Sequence, residues 1–183
     1  ELKSLGTLAL IVKIDVSTES GAKNLIAEVE KMFGRIDLLV NCLKFAPDSA
    51  FEESGEEFFD KTTAVNLKSV FFITKEAVRL MKPRPQPKIV NVVAAADAGR
   101  QNLAFIASQK AVIGLTEALA AALPPNFRVN AVAVSEQSAP AEALDTELFR
   151  PKIGVSERDA ARTILFLLSS EASGLNGQIL KVA

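Results

Sequence analysis

Short continuous hydrophobic runs alternate with stretches of helical period along the whole chain. "LALIVKIDV" (8–16) is apolar and β-branched and predicts a strand ending in Asp15. Leu25, Ile26, Val29, Met32 and Phe33 then recur at helical spacing. Ser17 or Thr18 is placed to cap that helix, and Gly34 to stop it as a C′ residue. "IDLLVNC" (36–42) predicts a second buried strand, and residues 43–55 a polar loop with Pro47 and Gly55. A long amphipathic helix is expected from Glu56 to Lys82, ended by "KPRPQP", whose prolines cannot continue it. "KIVNVVA" (88–94) predicts a third strand, residues 103–123 a helix stopped by "PPN", and "RVNAVAV" (128–134) a fourth strand. A polar excursion, "SEQSAPAEALDTELFRP", has room for one short helix. Ser156 is placed to cap "ERDAARTILFLLS", and "GQILKV" (177–182) closes the pattern as a strand.

Strands apolar on both faces and separated by helices argue for a parallel sheet covered on both sides. The expectation is a single α/β domain over 1–183, with no repeat, low-complexity tract or linker. At 183 residues the chain can bury one real core.

Charge and composition narrow the chemistry. The net charge of −1 gives no electrostatic footprint for nucleic acid or an anionic membrane. No apolar run is expected to reach the roughly 20 residues that span a bilayer, and no signal-like start is present. The single cysteine, Cys42, cannot form an internal disulfide. It suits a reducing compartment, cytoplasm or an organelle matrix or stroma, and is expected as a small core residue. The chain has no His, Tyr or Trp, against eleven Phe. Without His and with one Cys, no metal site is expected. The two commonest proton shuttles are missing, so a general acid or base must come from Lys, Asp, Glu or Cys42.

Read in order, the segments resemble the short-chain dehydrogenase/reductase superfamily, and most its 3-oxoacyl-reductase-type members. "KIDVSTES" is similar to the strand end that meets the cofactor's adenine, and "FGRIDLLVN" to the lead into the family's N-N-A-G strand. "AVNLKSVFFITKEAVRLM", "KIVNVV", "ASQKAVIGLTEALA", "FRVNAVAV" and "ASGLNGQILKV" match further segments in order. The resemblance implies a Rossmann-like sheet that binds NAD or NADP. It also implies a Tyr phenol and a Lys one turn apart, a Ser that orients the carbonyl and an Asn in the proton relay.

The chain departs from that pattern at most of those positions. The family's Y-x-x-x-K falls on Phe105 and Gln109, and its serine on Val93 or Ala94. Lys110 is one place late, and one helical step turns a side chain by about 100°. The N-N-A-G turn reads "NCLK", with Asn41 kept and Lys44 in place of glycine. The P-G pair after the sixth family strand reads Val134-Ser135. Asn66 alone of the catalytic set is retained, with a structural role expected at the helix kink. Asp15, Val16 and Asn41 are the candidate cofactor contacts, although Asp15 serves equally well as a cap for the following loop.

The family's first two strands and a G-x-x-x-G-x-G turn have no counterpart in the 183 residues. Strand 8–16 is therefore expected to depend on residues preceding this sequence; pairing with 36–42 in a five-stranded sheet, or with another chain, are the alternatives. From these losses the sequence predicts a catalytically inactive domain serving as a structural, assembly or oligomerisation subunit, with no cofactor. Helices 56–82 and 103–123 would meet a protein partner or a second copy. Ala111, Gly114, Leu115, Ala118, Ala121 and Ala122 make the second helix smooth. The alternatives are an NAD(P)-dependent ketoreductase whose cofactor loop lies outside this sequence, with Lys44 or Lys110 as acid, and a non-catalytic nucleotide- or acyl-binding module.

Overall fold

A computed structural model describes residues 6–46, 50–95, 102–135 and 157–182. Four parallel strands, β1 (Leu38–Asn41), β2 (Lys88–Ala94), β3 (Arg128–Val134) and β4 (Ile179–Val182), lie side by side in sequence order. Each crossover carries a helix, as parallel neighbours require. The helices are α1 (Glu19–Phe33), α2 (Glu56–Thr63), α3 (Ser69–Met81), α4 (Leu103–Ala122) and α5 (Glu157–Leu168). The polar excursion at 136–156, with the Ser156 cap, and Pro47 lie outside the described residues.

Alternate residues of the central strands enter opposite cores. Ile89, Val129, Val93 and Ala133 pack under α1, α3 and α4, beside Ile26, Ile73, Ala77, Val70 and Val112. Val90 and Val132 turn the other way, onto Leu167 of α5 and Ala172. This two-sided burial explains why the β2 and β3 sequences read as unbroken apolar runs. Thr18 caps α1 by accepting from Gly21 N at 3.1 Å, and Gly34 ends it at φ 68°, donating to Glu30 O at 2.8 Å.

Three expectations are corrected. Residues 8–16 form no strand, because among the described residues no neighbour supplies a hydrogen-bonded ladder. Ile11 is 89% exposed there, and among the described residues the sheet has four strands, without the alternative pairing of 8–16 with 36–42. The helix expected from Glu56 to Lys82 is interrupted by a π-helical turn, Ala64–Lys68, between α2 and α3. And α4, at 20 residues, is long and apolar enough to cross a membrane. It is instead built against β2 and β3 along Phe105, Ser108, Gln109, Val112 and Thr116, all buried.

A polar thread runs through the larger core. Asn41 Nδ2 donates to Thr74 Oγ1 at 3.1 Å and to Asn91 Oδ1 at 2.9 Å. Asn91 Nδ2 donates to Thr116 Oγ1 at 2.9 Å, which donates to Val112 O at 2.8 Å. Four elements (α3, β1, β2 and α4) are thereby tied in one register.

Candidate active site

The carboxyl ends of parallel strands open on one edge of a sheet, where ligands of α/β folds bind. Here Leu43 and Lys44 follow β1, Val92, Val93 and Ala94 end β2, and Val134 ends β3. Gln109 of α4 closes one side, and Glu157, Ala160 and Ile164 of α5 the other. They enclose about 400 Å³, the size of a small-molecule pocket. Cys42 also lines the cavity and is exposed, which corrects its expected place in the core: it follows the last residue of β1, where the chain has left the sheet.

Gln109 is 3% exposed. Its Oε1 accepts from Ala94 N at 2.8 Å. Since a backbone N–H can only donate, this bond fixes which end of the amide is oxygen. The Nε2 group is then a buried pair of donors for which no acceptor exists among the described residues. Leaving such a group unsatisfied costs about 1–3 kcal/mol. Ala94, one of the two positions expected for the serine, is thus joined to Gln109, the position expected for the lysine.

Phe105 is fully buried, and the Lys44 ammonium lies 5.9 Å from its ring centroid, a cation–π distance. Lys44 is exposed at the cavity mouth; Lys110, one residue beyond Gln109, faces solvent away from the lining.

Asn66 stands in the π-helical turn and is buried. Its Oδ1 accepts from Phe45 N at 2.7 Å, while its Nδ2 donates to Phe45 O at 2.9 Å and to Ser108 Oγ at 3.0 Å. Ser108 Oγ in turn donates to Phe105 O at 2.7 Å. The Asn66 amide therefore holds the loop that carries Lys44 against α4.

The three candidate cofactor contacts separate. Asn41 is 3% exposed, its amide committed to Thr74 and Asn91. Val16 packs against the larger core. Asp15 is exposed: its Oδ1 accepts from Ser17 Oγ and Ser17 N, and these bonds hold the carboxyl below its ordinary value. Asp15 also borders an open depression with Ala64, Val65 and Lys68, none of which lines the cavity. The sequence reading missed the α5 residues Glu157, Ala160 and Ile164. Only their apolar helical period was visible, and that pattern does not show which residue lies at the open end of the sheet.

Residues 1–183 match the enoyl-(acyl carrier protein) reductase family. A 3-oxoacyl-[acyl-carrier-protein] reductase of Thermotoga maritima is 34% identical over 92% of this chain and 73% of its own length. An NAD-dependent glycerol dehydrogenase of Listeria innocua is 32% identical over 94% of this chain and 72% of its own. Among solved structures, a short-chain dehydrogenase/reductase from Burkholderia xenovorans superposes with a TM-score of 0.85 at 22% identity, covering 99% of this chain and 76% of that one. These relatives correct the expectation of an inactive structural subunit. The similarity to named oxidoreductases runs along nearly the whole chain and points to an active oxidoreductase.

Proposed function

The chain belongs to the short-chain dehydrogenase/reductase family, and from that premise we propose that it is an NAD(P)-dependent oxidoreductase of ketoreductase type, interconverting a carbonyl and a hydroxyl. The observation that carries the reading is the cavity of about 400 Å³ at the carboxyl edge of the sheet, with largely apolar walls on which Lys44, Gln109 and Glu157 are placed.

The lining suits a nicotinamide. Val92, Val93, Val134 and Ile164 offer apolar surface to a flat ring, and the Gln109 amide offers donors to a carboxamide or carbonyl oxygen. Asp15 and Val16, at the end of the adjoining segment, are the residues proposed for the adenosine end. When bound, the nicotinamide supplies or accepts the hydride. The proton falls to this chain's own residues. With Phe105 in place of a phenol, Lys44 is the cation of the lining and the group proposed to supply the proton.

The test is ketone-dependent oxidation of NADPH or NADH by the purified protein, using a 3-oxo ester. Activity is expected, and Lys44→Met should lower kcat by about 10²–10⁴-fold, as loss of a general acid does. No ketone-dependent oxidation with either nucleotide would overturn the reading. Self-association through α2, α3 and α4 belongs to the same proposal: Phe59, Phe71 and Leu103 are exposed there. Light scattering that shows a monomer at all concentrations would refute it.

A further inference from the structure

Gln109 carries two donors on the cavity wall that no described residue uses. Its Oε1 accepts from Ala94 N, which fixes the orientation of the amide and leaves the Nε2 donors to find another partner. Gln109 is 3% exposed, and no described residue accepts from those donors. Native structures seldom leave a buried donor orphaned, so an acceptor brought by a ligand is the natural complement. The bond to Ala94 holds the amide in place before any ligand arrives, so no reorganisation is needed on binding.

We propose that Gln109 Nε2 is the recognition point for the carbonyl oxygen of a neutral, largely apolar compound bound in this cavity. The inference rests on the oxidoreductase reading and deepens it by assigning the group that fixes the carbonyl. Three observations select that chemistry. The Nε2 hydrogens have no acceptor among the described residues, so the group that completes them is an acceptor oxygen. The charged side chains of the lining, Lys44 and Glu157, offset each other, so no net charge is demanded of the ligand. The remaining walls, Leu43, Val92, Val93 and Ile164, favour hydrocarbon. A ketone substrate and a nicotinamide carboxamide share this chemistry, and the ketone is the assigned occupant.

The probes are ethyl 3-oxohexanoate labelled with ¹³C at the ketone and, in a separate arm, nicotinamide mononucleotide labelled at the carboxamide. Each is bound to the intact protein and read by isotope-edited infrared spectroscopy. The ketone stretch is expected to move to lower frequency on binding. Gln109→Glu keeps an oxygen for Ala94 N but removes both N–H donors; it should abolish the shift and weaken ketone binding about tenfold or more, the worth of one hydrogen bond. In the native protein the Gln109 side-chain amide resonances should move downfield on adding ketone, which needs no variant to fold. A carboxamide shift that depends on Gln109 while the ketone shift does not would overturn the assignment. So would unchanged ketone affinity and frequency in Gln109→Glu, or a native protein that leaves the Gln109 resonances unmoved. Turnover is scored apart from these signals. A Gln109-dependent ketone shift without nucleotide oxidation sinks the oxidoreductase reading and leaves this site standing. Oxidation without Gln109 dependence of the ketone signals does the reverse.

Discussion

The side-chain amide of Asn66 grips the backbone of Phe45 at both ends, accepting from its N–H at 2.7 Å and donating to its carbonyl at 2.9 Å. An amide bonded this way copies a strand partner for one residue, in a loop that has left the sheet. The π-helical turn makes the geometry possible, because the extra residue per turn swings Asn66 inward between α2 and α3. Asn66→Ala would leave both Phe45 groups without a partner. A loss of about 1–3 kcal/mol is expected by denaturant titration. Asn66→Asp, which sets a buried carboxylate oxygen against the Phe45 carbonyl, should lose at least as much. A neutral result for either variant would show that the Phe45 bonds contribute nothing.

Asn91 bridges Asn41 and Thr116 at the centre of the sheet. Asn91→Leu matches the volume but strands a donor of Asn41 and an acceptor of Thr116 in the core. Its expected cost is about 1–3 kcal/mol, with no change in the slope of the denaturant transition. A neutral outcome would mean that the thread adds register without stability.

Gly21 lies where α1 starts against the Asp15 carbonyl. A Cβ there would come within 1.7 Å of Asp15 O and 2.9 Å of Asp15 C, both backbone atoms. Gly21→Ala must therefore displace the Asp15 turn or the helix start. Overpacking of this kind costs about 1–3 kcal/mol. Thermal melts should show it, and faster hydrogen exchange at Ser17 and Gly21 should localise it.

Lys88 is buried yet charged, and it donates to Leu168 O at 3.0 Å and Ser169 O at 2.6 Å, the open carbonyls at the end of α5. A cation at a helix C-terminus satisfies both the carbonyls and the dipole. Lys88→Met keeps the stem and removes the charge. About 1.5–3 kcal/mol should be lost, with α5 fraying at its C-terminal end in exchange measurements.

Acid should loosen the outer ion pairs. Ser17 holds the Asp15 carboxyl below its ordinary value, Lys75 that of Glu19, Arg79 that of Glu30, and Arg35 with Arg84 that of Asp37. With folded values depressed, the unfolded chain binds more protons in acid. The stabilisation is therefore complete above the ordinary values of 3.8 and 4.5 and is lost as pH falls through the lower folded ones. Two of these pairs, Lys75–Glu19 and Arg79–Glu30, join α1 to α3. The melting temperature should be flat near neutrality and decline below pH 4.5, modestly because the groups are exposed. High salt should shrink the contribution of the pairs to this decline. A profile flat to strong acid would contradict the assignment.

Local physics was legible before any fold was known. Residues 88–94 and 128–134 read as strands and are strands at those bounds, because burial on both faces writes a continuous apolar run into the sequence. A cap at Ser17 or Thr18, which the fold resolves to Thr18, and the Gly34 stop were visible because each acts within one helical turn. The Rossmann-like class followed from the same alternation, and the family from the order of the segments. Residues 8–16 misled for the complementary reason: a strand needs a neighbour, and β-branched sequence does not supply one. Cys42 looked interior by composition, although the chain turns out of the sheet just before it.

Gln109 marks the boundary most sharply. In the sequence it was a lysine position without a lysine, and it counted toward an inactive domain. Only the tertiary structure shows its oxygen taken by Ala94 N and its nitrogen left as a donor on the cavity wall, with Lys44 arriving from β1 across the cleft. The sequence by itself determined the elements, their class and their kinship, since these depend on neighbours a few residues away. The tertiary structure alone decided which polar atoms were satisfied, because a hydrogen bond fifteen residues long in the chain, such as Gln109 to Ala94, is set by packing and leaves no local periodicity to read.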